Sequence, residues 1–159
     1  MPKWASWIVF VAICFGAASV GQWFTASSVK TWYPGLLKPA GTPSSWVFGP
    51  VWSALYLLMG TAAWLVWQER HAHDVLLPLV LFFCQLVLNA FWSFIFFGLQ
   101  RPDLALVEIL MLLLAIMLTT ISFSTHSRYA FWLMTPYIGW VGYATYLNLG
   151  IWRLNQGAA

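Results

Sequence analysis

The chain has 159 residues, of which 62% are hydrophobic and 7% are charged, and its formal net charge is +3. Seven Lys and Arg with four Asp and Glu cannot cover the surface of a water-soluble domain, so the composition excludes a soluble globular protein and indicates a membrane protein. The basic residues stand singly rather than in a run, which excludes a nucleic-acid-binding patch.

Five segments are long and apolar enough to cross a bilayer as helices, which requires roughly 20 mostly apolar residues. They are residues 4–26, 46–68, 75–98, 104–124 and 129–153. In the first segment the apolar run continues past "GAAS", which favours a membrane span over a cleaved signal peptide. Continuous apolar runs lack the alternation of barrel strands. The sequence therefore predicts an all-α membrane protein, a bundle of five transmembrane helices forming one domain over residues 1–159.

The connection between the first two segments, residues 27–45, is long and contains the stretch "TWYPGLLKPAGTPSS". Its three prolines restrict the backbone without regular hydrogen bonding. Irregular connections of this length in compact proteins commonly act as lids or binding loops. We therefore expect this loop to cover a pocket. The other connections are short, so consecutive helices should pack as antiparallel neighbours.

The second and third segments carry aromatic and amide side chains on one face each. Trp52 and Tyr56 are four residues apart in the second segment, which places them on one helical face. Gln85, Asn89 and Trp92 in the third follow one another by four and three residues and also share a face. Such side chains either hydrogen-bond neighbouring helices or line a ligand site. The spacing leaves both interpretations open.

The fifth segment repeats the pattern with Tyr137, Trp140 and Ala144 on one face, where the small alanine leaves room beside the indole. If these faces converge, they enclose a pocket with flat walls and a few neutral polar groups, suited to a large planar apolar ligand. The competing interpretation is a structural membrane subunit without a ligand, in which the aromatic faces are packed core.

Glu108 is the acidic residue that falls well inside a predicted span, and intramembrane carboxylates are functional candidates. Its closeness to the start of the segment favours a side chain that reaches the membrane interface. In the stretch "ERHAHD", residues 69–74, histidines alternate with acidic residues, as in some metal sites. A polar loop between two helices is more simply explained as exposed to solvent, so we predict no metal site and no cofactor. Motifs of nucleophilic hydrolases and phosphate-binding loops do not occur in the sequence.

Four blocks of the chain resemble, in order and spacing, the signature blocks of the translocator protein family, also called tryptophan-rich sensory proteins or peripheral benzodiazepine receptors. They read "WYPGLLKP", "WVFGPVWSALYLLMG", "QLVLNAFWSFIFFG" and "LMTPYIGWVGYATYLNLGIWRLN". The resemblance covers nearly the whole chain. It implies an integral multi-pass membrane protein, often a homodimer, and we expect a bacterial cell membrane as its location.

The resemblance also implies a porphyrin-binding sensor or carrier, with protoporphyrin IX as an example ligand, and in many members cholesterol and benzodiazepine-type ligands as well. By position, the pocket residues of the family match Tyr33, Pro43, Trp52, Asn89, Trp140 and Ala144. Some members degrade porphyrin with light and oxygen, and Trp52 and Trp140 match the tryptophans of that chemistry. The sequence does not decide whether the protein is an enzyme.

Together, the helical faces and the resemblance predict one ligand-binding site. Its residues are Tyr33, Pro43, Trp52, Tyr56, Gln85, Asn89, Trp92, Tyr137, Trp140 and Ala144. The chain departs from the family at residues 40–44, "AGTPS", where the family usually has a tryptophan and a Pro-Pro pair. Near the C-terminus, Leu149 or Gly150 occupies the tyrosine position of the sterol-recognition pattern. We therefore expect ligand preferences that differ from those of its relatives.

Overall fold

The computed structural model describes residues 2–156, and these residues form five long helices without strands. The helices are α1 (Lys3–Thr31), α2 (Ser45–Gln68), α3 (Leu76–Ser93), α4 (Pro102–Ser124) and α5 (Arg128–Leu154). A π-helical turn, Phe94–Gly98, extends α3, and short 3-10 turns occupy Tyr33–Gly35 and Glu69–His71. The predicted all-α fold with five helices is confirmed.

Four of the five helices, α1 to α4, are long and apolar enough to cross a membrane. Their outward faces carry large exposed apolar side chains such as Leu76, Val87 and Ile121, as contact with lipid requires. The fifth helix has 27 residues but does not reach the same apolar composition. At least one of its polar side chains faces the inside of the bundle, because Asn148 is buried and hydrogen-bonded. That α5 spans the membrane stays a prediction.

The predicted loop over residues 27–45 is wrong at its start, because α1 continues to Thr31 and the connection covers residues 32–44. The Trp32 amide still donates a helical hydrogen bond to the Ser28 carbonyl, at 3.0 Å. Pro34 cannot continue this pattern because it has no backbone N–H. The helix therefore ends where a backbone donor is lost rather than where the sequence turns polar.

The helices form a closed ring in the order α1, α2, α5, α4, α3, in which each helix packs against its two neighbours. The expectation that consecutive helices are neighbours holds for three of the four pairs and is wrong for α2 and α3, which touch only slightly. Residues 69–75 carry the chain across the ring from α2 to α3. The faces of α2, α3 and α5 thereby meet inside one bundle.

The two ends of the bundle differ in packing. At the end that holds the start of α1, the indole Nε1 of Trp7 donates to Thr61 Oγ1 at 3.1 Å and that of Trp64 to the Lys3 carbonyl at 3.1 Å. Gly60 lies so close to α1 that a Cβ there would stand 2.8 Å from Val11 Cα. This end is tightly packed, and the opposite end contains the cavity described below.

The close approach of α1 and α2 predicts that Gly60→Ala is destabilising. The added methyl group would meet Val11 backbone atoms, which cannot rotate away, and such overpacking costs about 1–3 kcal/mol. Gly139→Ala is the matched control, because a Cβ at Gly139 would meet no atom within 4 Å. We expect a lower apparent melting temperature in detergent for Gly60→Ala alone. Equal melting temperatures of the two variants would contradict the predicted contact.

Candidate functional site

A cavity of about 650 Å³ lies between α1, α2, α3 and α5, at the end of the bundle that holds the 32–44 connection. Seven of the ten predicted ligand-binding residues line it. They are Tyr33, Trp52, Tyr56, Asn89, Trp92, Trp140 and Ala144. The helical faces inferred from the sequence therefore do converge on one space.

The inner end of the cavity is fixed by hydrogen bonds between three helices. The Tyr56 hydroxyl of α2 donates to Asn89 Oδ1 of α3 at 2.5 Å. The Asn89 Nδ2 group donates in turn to the Tyr137 hydroxyl oxygen of α5 at 2.8 Å. Tyr137 is completely buried behind this layer and does not line the cavity. One amide side chain thus connects α2, α3 and α5.

Trp92 is also held at a fixed angle. Its Nε1 donates to Asn148 Oδ1 at 3.0 Å, and Asn148 Nδ2 donates to the Pro102 carbonyl at 2.7 Å. The indole stacks on Phe96 with ring centroids 5.1 Å apart. Because both its polar group and its ring face have partners inside the protein, Trp92 offers the cavity a rigid aromatic wall.

Trp52 and Trp140 form aromatic walls from α2 and α5. Trp52 packs against Tyr56, with centroids 5.6 Å apart, and Trp140 packs edge-on against Phe48 at 5.8 Å. The Trp140 Nε1 atom is buried and has no hydrogen-bond partner among the described residues. Buried indole N–H groups normally have an acceptor. Trp140 thus carries an unsatisfied donor that is enclosed by protein atoms.

Gln85 and Pro43 do not line the cavity. Gln85 is fully buried and lies one helical turn from Asn89, away from the cavity end of α3, where its amide has no partner. Pro43 belongs to a part of the connection that packs on α5: the Tyr146 hydroxyl donates to the Ala40 carbonyl at 3.1 Å. A Cβ at Gly150 would stand 2.6 Å from the Pro39 ring, so this docking is close.

Of the 32–44 connection, Tyr33 lines the cavity. Its ring packs against Phe97, at a centroid distance of 5.8 Å, and the Lys38 ammonium group lies 4.7 Å from its centroid. Burial raises the pKa of the Tyr33 phenol above its ordinary value. The connection closes the end of the cavity through this side chain instead of covering it with the whole loop.

The structure adds a wall that the sequence reasoning missed, the face of α1. Its members are Phe15, Ala18, Ser19, Gly21, Gln22, Trp23, Thr25, Ala26 and Val29. The signal available in the sequence was the recurrence of small and polar residues within this otherwise apolar run, which marks an internal rather than a lipid-facing stripe. Because this face of α1 lacks an aromatic stripe like those of α3 and α5, the sequence reasoning did not identify it as part of the site.

The cavity opens to one side of the bundle. All of its exposed lining residues belong to α1 or α2, and Trp23 at its rim is 82% exposed. The lining residues of α3 and α5 are all buried or half-buried. No Lys, Arg, His, Asp or Glu is among the lining residues in the described part of the chain. The site is therefore a neutral, aromatic cleft that opens between α1 and α2.

Comparison with known proteins gives a consistent family assignment. The sequence profile described as the TspO/MBR family matches residues 10–153. The chain is 43% identical over 151 residues to the tryptophan-rich protein TspO of Archaeoglobus fulgidus, covering 95% of both proteins. It is 37% identical to the translocator protein of Homo sapiens, covering 98% of this chain and 94% of that protein. The tryptophan-rich sensory protein of Cereibacter sphaeroides is 34% identical, with 96% and 92% covered.

The Asn89 hydrogen bonds generate a prediction about stability. Asn89→Ala leaves both the Tyr56 and the Tyr137 hydroxyl groups buried without this partner, at a cost of about 1–3 kcal/mol for each unpaired group. Tyr56→Phe removes one of the two bonds and should cost less. Tyr129→Phe, at an exposed position, serves as the control. Melting curves in one detergent test this order, and an Asn89→Ala protein as stable as the control would contradict the network.

Proposed function

The chain belongs to the TspO/MBR family, and from this we propose that it is an integral membrane protein that binds porphyrins, acting as a sensor or carrier. The observation that carries the proposal is the cleft in which the indoles of Trp52, Trp92 and Trp140 converge from three different helices. Flat aromatic walls suit a flat aromatic ligand, since offset stacking and burial of apolar area act over the whole ring.

The size and polarity of the cleft support the same ligand class. A volume of about 650 Å³ lies within the range typical of sites for drug-sized molecules, about 300–1,000 Å³. The lining supplies neutral donors and acceptors only. A large planar ring system meets these requirements, and the two carboxylates of protoporphyrin IX, for which the lining offers no cation, belong at the open rim. Sterols and benzodiazepine-type compounds also have few polar atoms and are proposed as competing ligands.

The side on which the cleft opens supports entry from the membrane. The rim is formed by α1 and α2, two helices whose composition allows them to cross a bilayer. Apolar ligands concentrate in lipid, so an opening between two such helices meets the phase in which the ligand is dissolved. The expected bacterial location stays a prediction, because the relatives come from organisms as different as Archaeoglobus fulgidus and Homo sapiens. The homodimer also stays a prediction.

Porphyrin binding is tested by titrating protoporphyrin IX into the detergent-solubilised protein while tryptophan fluorescence is followed. Trp140→Ala removes an aromatic wall of the cleft, and we expect about a tenfold loss of affinity, equivalent to about 1.4 kcal/mol. Trp132→Ala is the matched control, because Trp132 is also on α5 but is 57% exposed and does not line the cleft.

Two results would contradict this proposal. Equal affinities of the Trp140→Ala and Trp132→Ala proteins would place the porphyrin elsewhere. A wild-type protein whose melting temperature is unchanged by porphyrins and sterols would favour a structural subunit, since a ligand that binds only the folded state raises stability.

A second candidate function is degradation of the bound porphyrin with light and oxygen. It is favoured by the finding that Trp52 and Trp140, the two tryptophans implied by the resemblance, both line the cleft. An indole in contact with an excited porphyrin is a suitable electron donor. We expect the illuminated Trp52→Phe protein to bleach protoporphyrin several-fold more slowly than the wild type at equal porphyrin occupancy. Equal bleaching rates, measured by loss of porphyrin absorbance, would remove the catalytic role.

A further inference from the structure

The acidic side chain of Glu108 is buried inside the bundle, whereas its place in the sequence favoured a side chain that extends to the membrane interface. It is 5% exposed, and neither carboxyl oxygen has a hydrogen-bond partner among the described residues. It belongs to the buried face of α4, together with Ala105 and Ile109, and that face packs against α3 and α5. An ionisable group is thus enclosed in an apolar environment.

The level of Glu108 in the bundle follows from the helix connections. Residues 125–127 join α4 to α5, and Glu108 and Ala144 lie equally far from this turn. Residues 99–101 join α3 to α4, which places Glu108 about level with Trp92. Ala144 and Trp92 both line the cleft, whereas Glu108 does not. Glu108 therefore lies behind the cleft wall, at the depth of the ligand site.

No charged group near Glu108 compensates a carboxylate. The single ion pair in the described part of the chain joins Arg101 to Asp103. The two cations of α5, Arg128 and Arg153, are exposed and stand at the opposite ends of that helix. The other titratable side chains of the helices packed against α4 are phenols and one thiol: the inward-facing Tyr137 and Tyr56, the exposed Tyr129 and Cys84, and Tyr143 and Tyr146, which bond the 32–44 connection. An unpaired carboxylate in such surroundings is far less stable than the neutral acid.

We propose that Glu108 is an internal proton-binding site, which holds a proton at neutral pH behind the wall of the ligand cleft. The bound species is H⁺ on a carboxylate oxygen, and its release leaves a negative charge at the depth of the ligand. This site is independent of the identity of the ligand.

Infrared spectroscopy of the full chain in detergent tests the site directly, because a protonated carboxyl group has a C=O stretch that a carboxylate lacks. The chain has only four Asp and Glu residues, so the region is uncluttered. We expect a protonated-acid band at neutral pH that is lost in Glu108→Gln. The band should persist in Asp103→Asn, which removes an acid that is paired with Arg101 at the surface.

A wild-type spectrum without a protonated-acid band at neutral pH would overturn the proposal even if the variant failed to fold. A band that persists unchanged in Glu108→Gln would also overturn it.

Discussion

The arrangement of this bundle depends on the pair of hydrogen bonds made by the Asn89 side chain. Inside a membrane protein the hydrophobic effect does not distinguish one helix neighbour from another, since lipid is as apolar as a leucine side chain. Specific polar contacts therefore help to decide which faces meet. Asn89 accepts from Tyr56 of α2 and donates to Tyr137 of α5, which joins α3 to two helices that are not its main packing partners.

The two ends of the bundle, on either side of this central connection, differ in packing. At one end, α1 and α2 approach closely at Gly60. At the other end they carry the exposed rim of the cleft, while α3 and α5 form its inner walls. Such a division is physically reasonable for a binding protein, because the packed end supplies stability and the open end retains an aromatic surface for a ligand. Trp92, held by Asn148, shows how a polar contact fixes that surface in place.

Two residues near the cleft carry buried polar atoms without hydrogen-bond partners, an arrangement that does not stabilise the fold. The Trp140 N–H is buried in a residue that lines the cleft, whereas the Glu108 carboxyl group lies behind the wall of the cleft. Both groups sit at about the same depth in the bundle. A ligand and a proton that occupy neighbouring sites influence each other electrostatically, because the apolar interior screens charge poorly.

The sequence by itself determined the class of protein, the five helices and the faces that carry Trp52, Asn89 and Trp140, because apolar length and helical periodicity are local properties. Local patterns do not say which helix a face meets. For that reason the ring order, the wall supplied by α1 and the docking of the 32–44 connection on α5 were decided by the tertiary structure alone. The same limit explains why Gln85 was wrongly expected to line the cleft: it shares a helical face with Asn89 but lies one turn beyond the cleft. It also explains Glu108, whose burial depends on α3 and α5 packing over it.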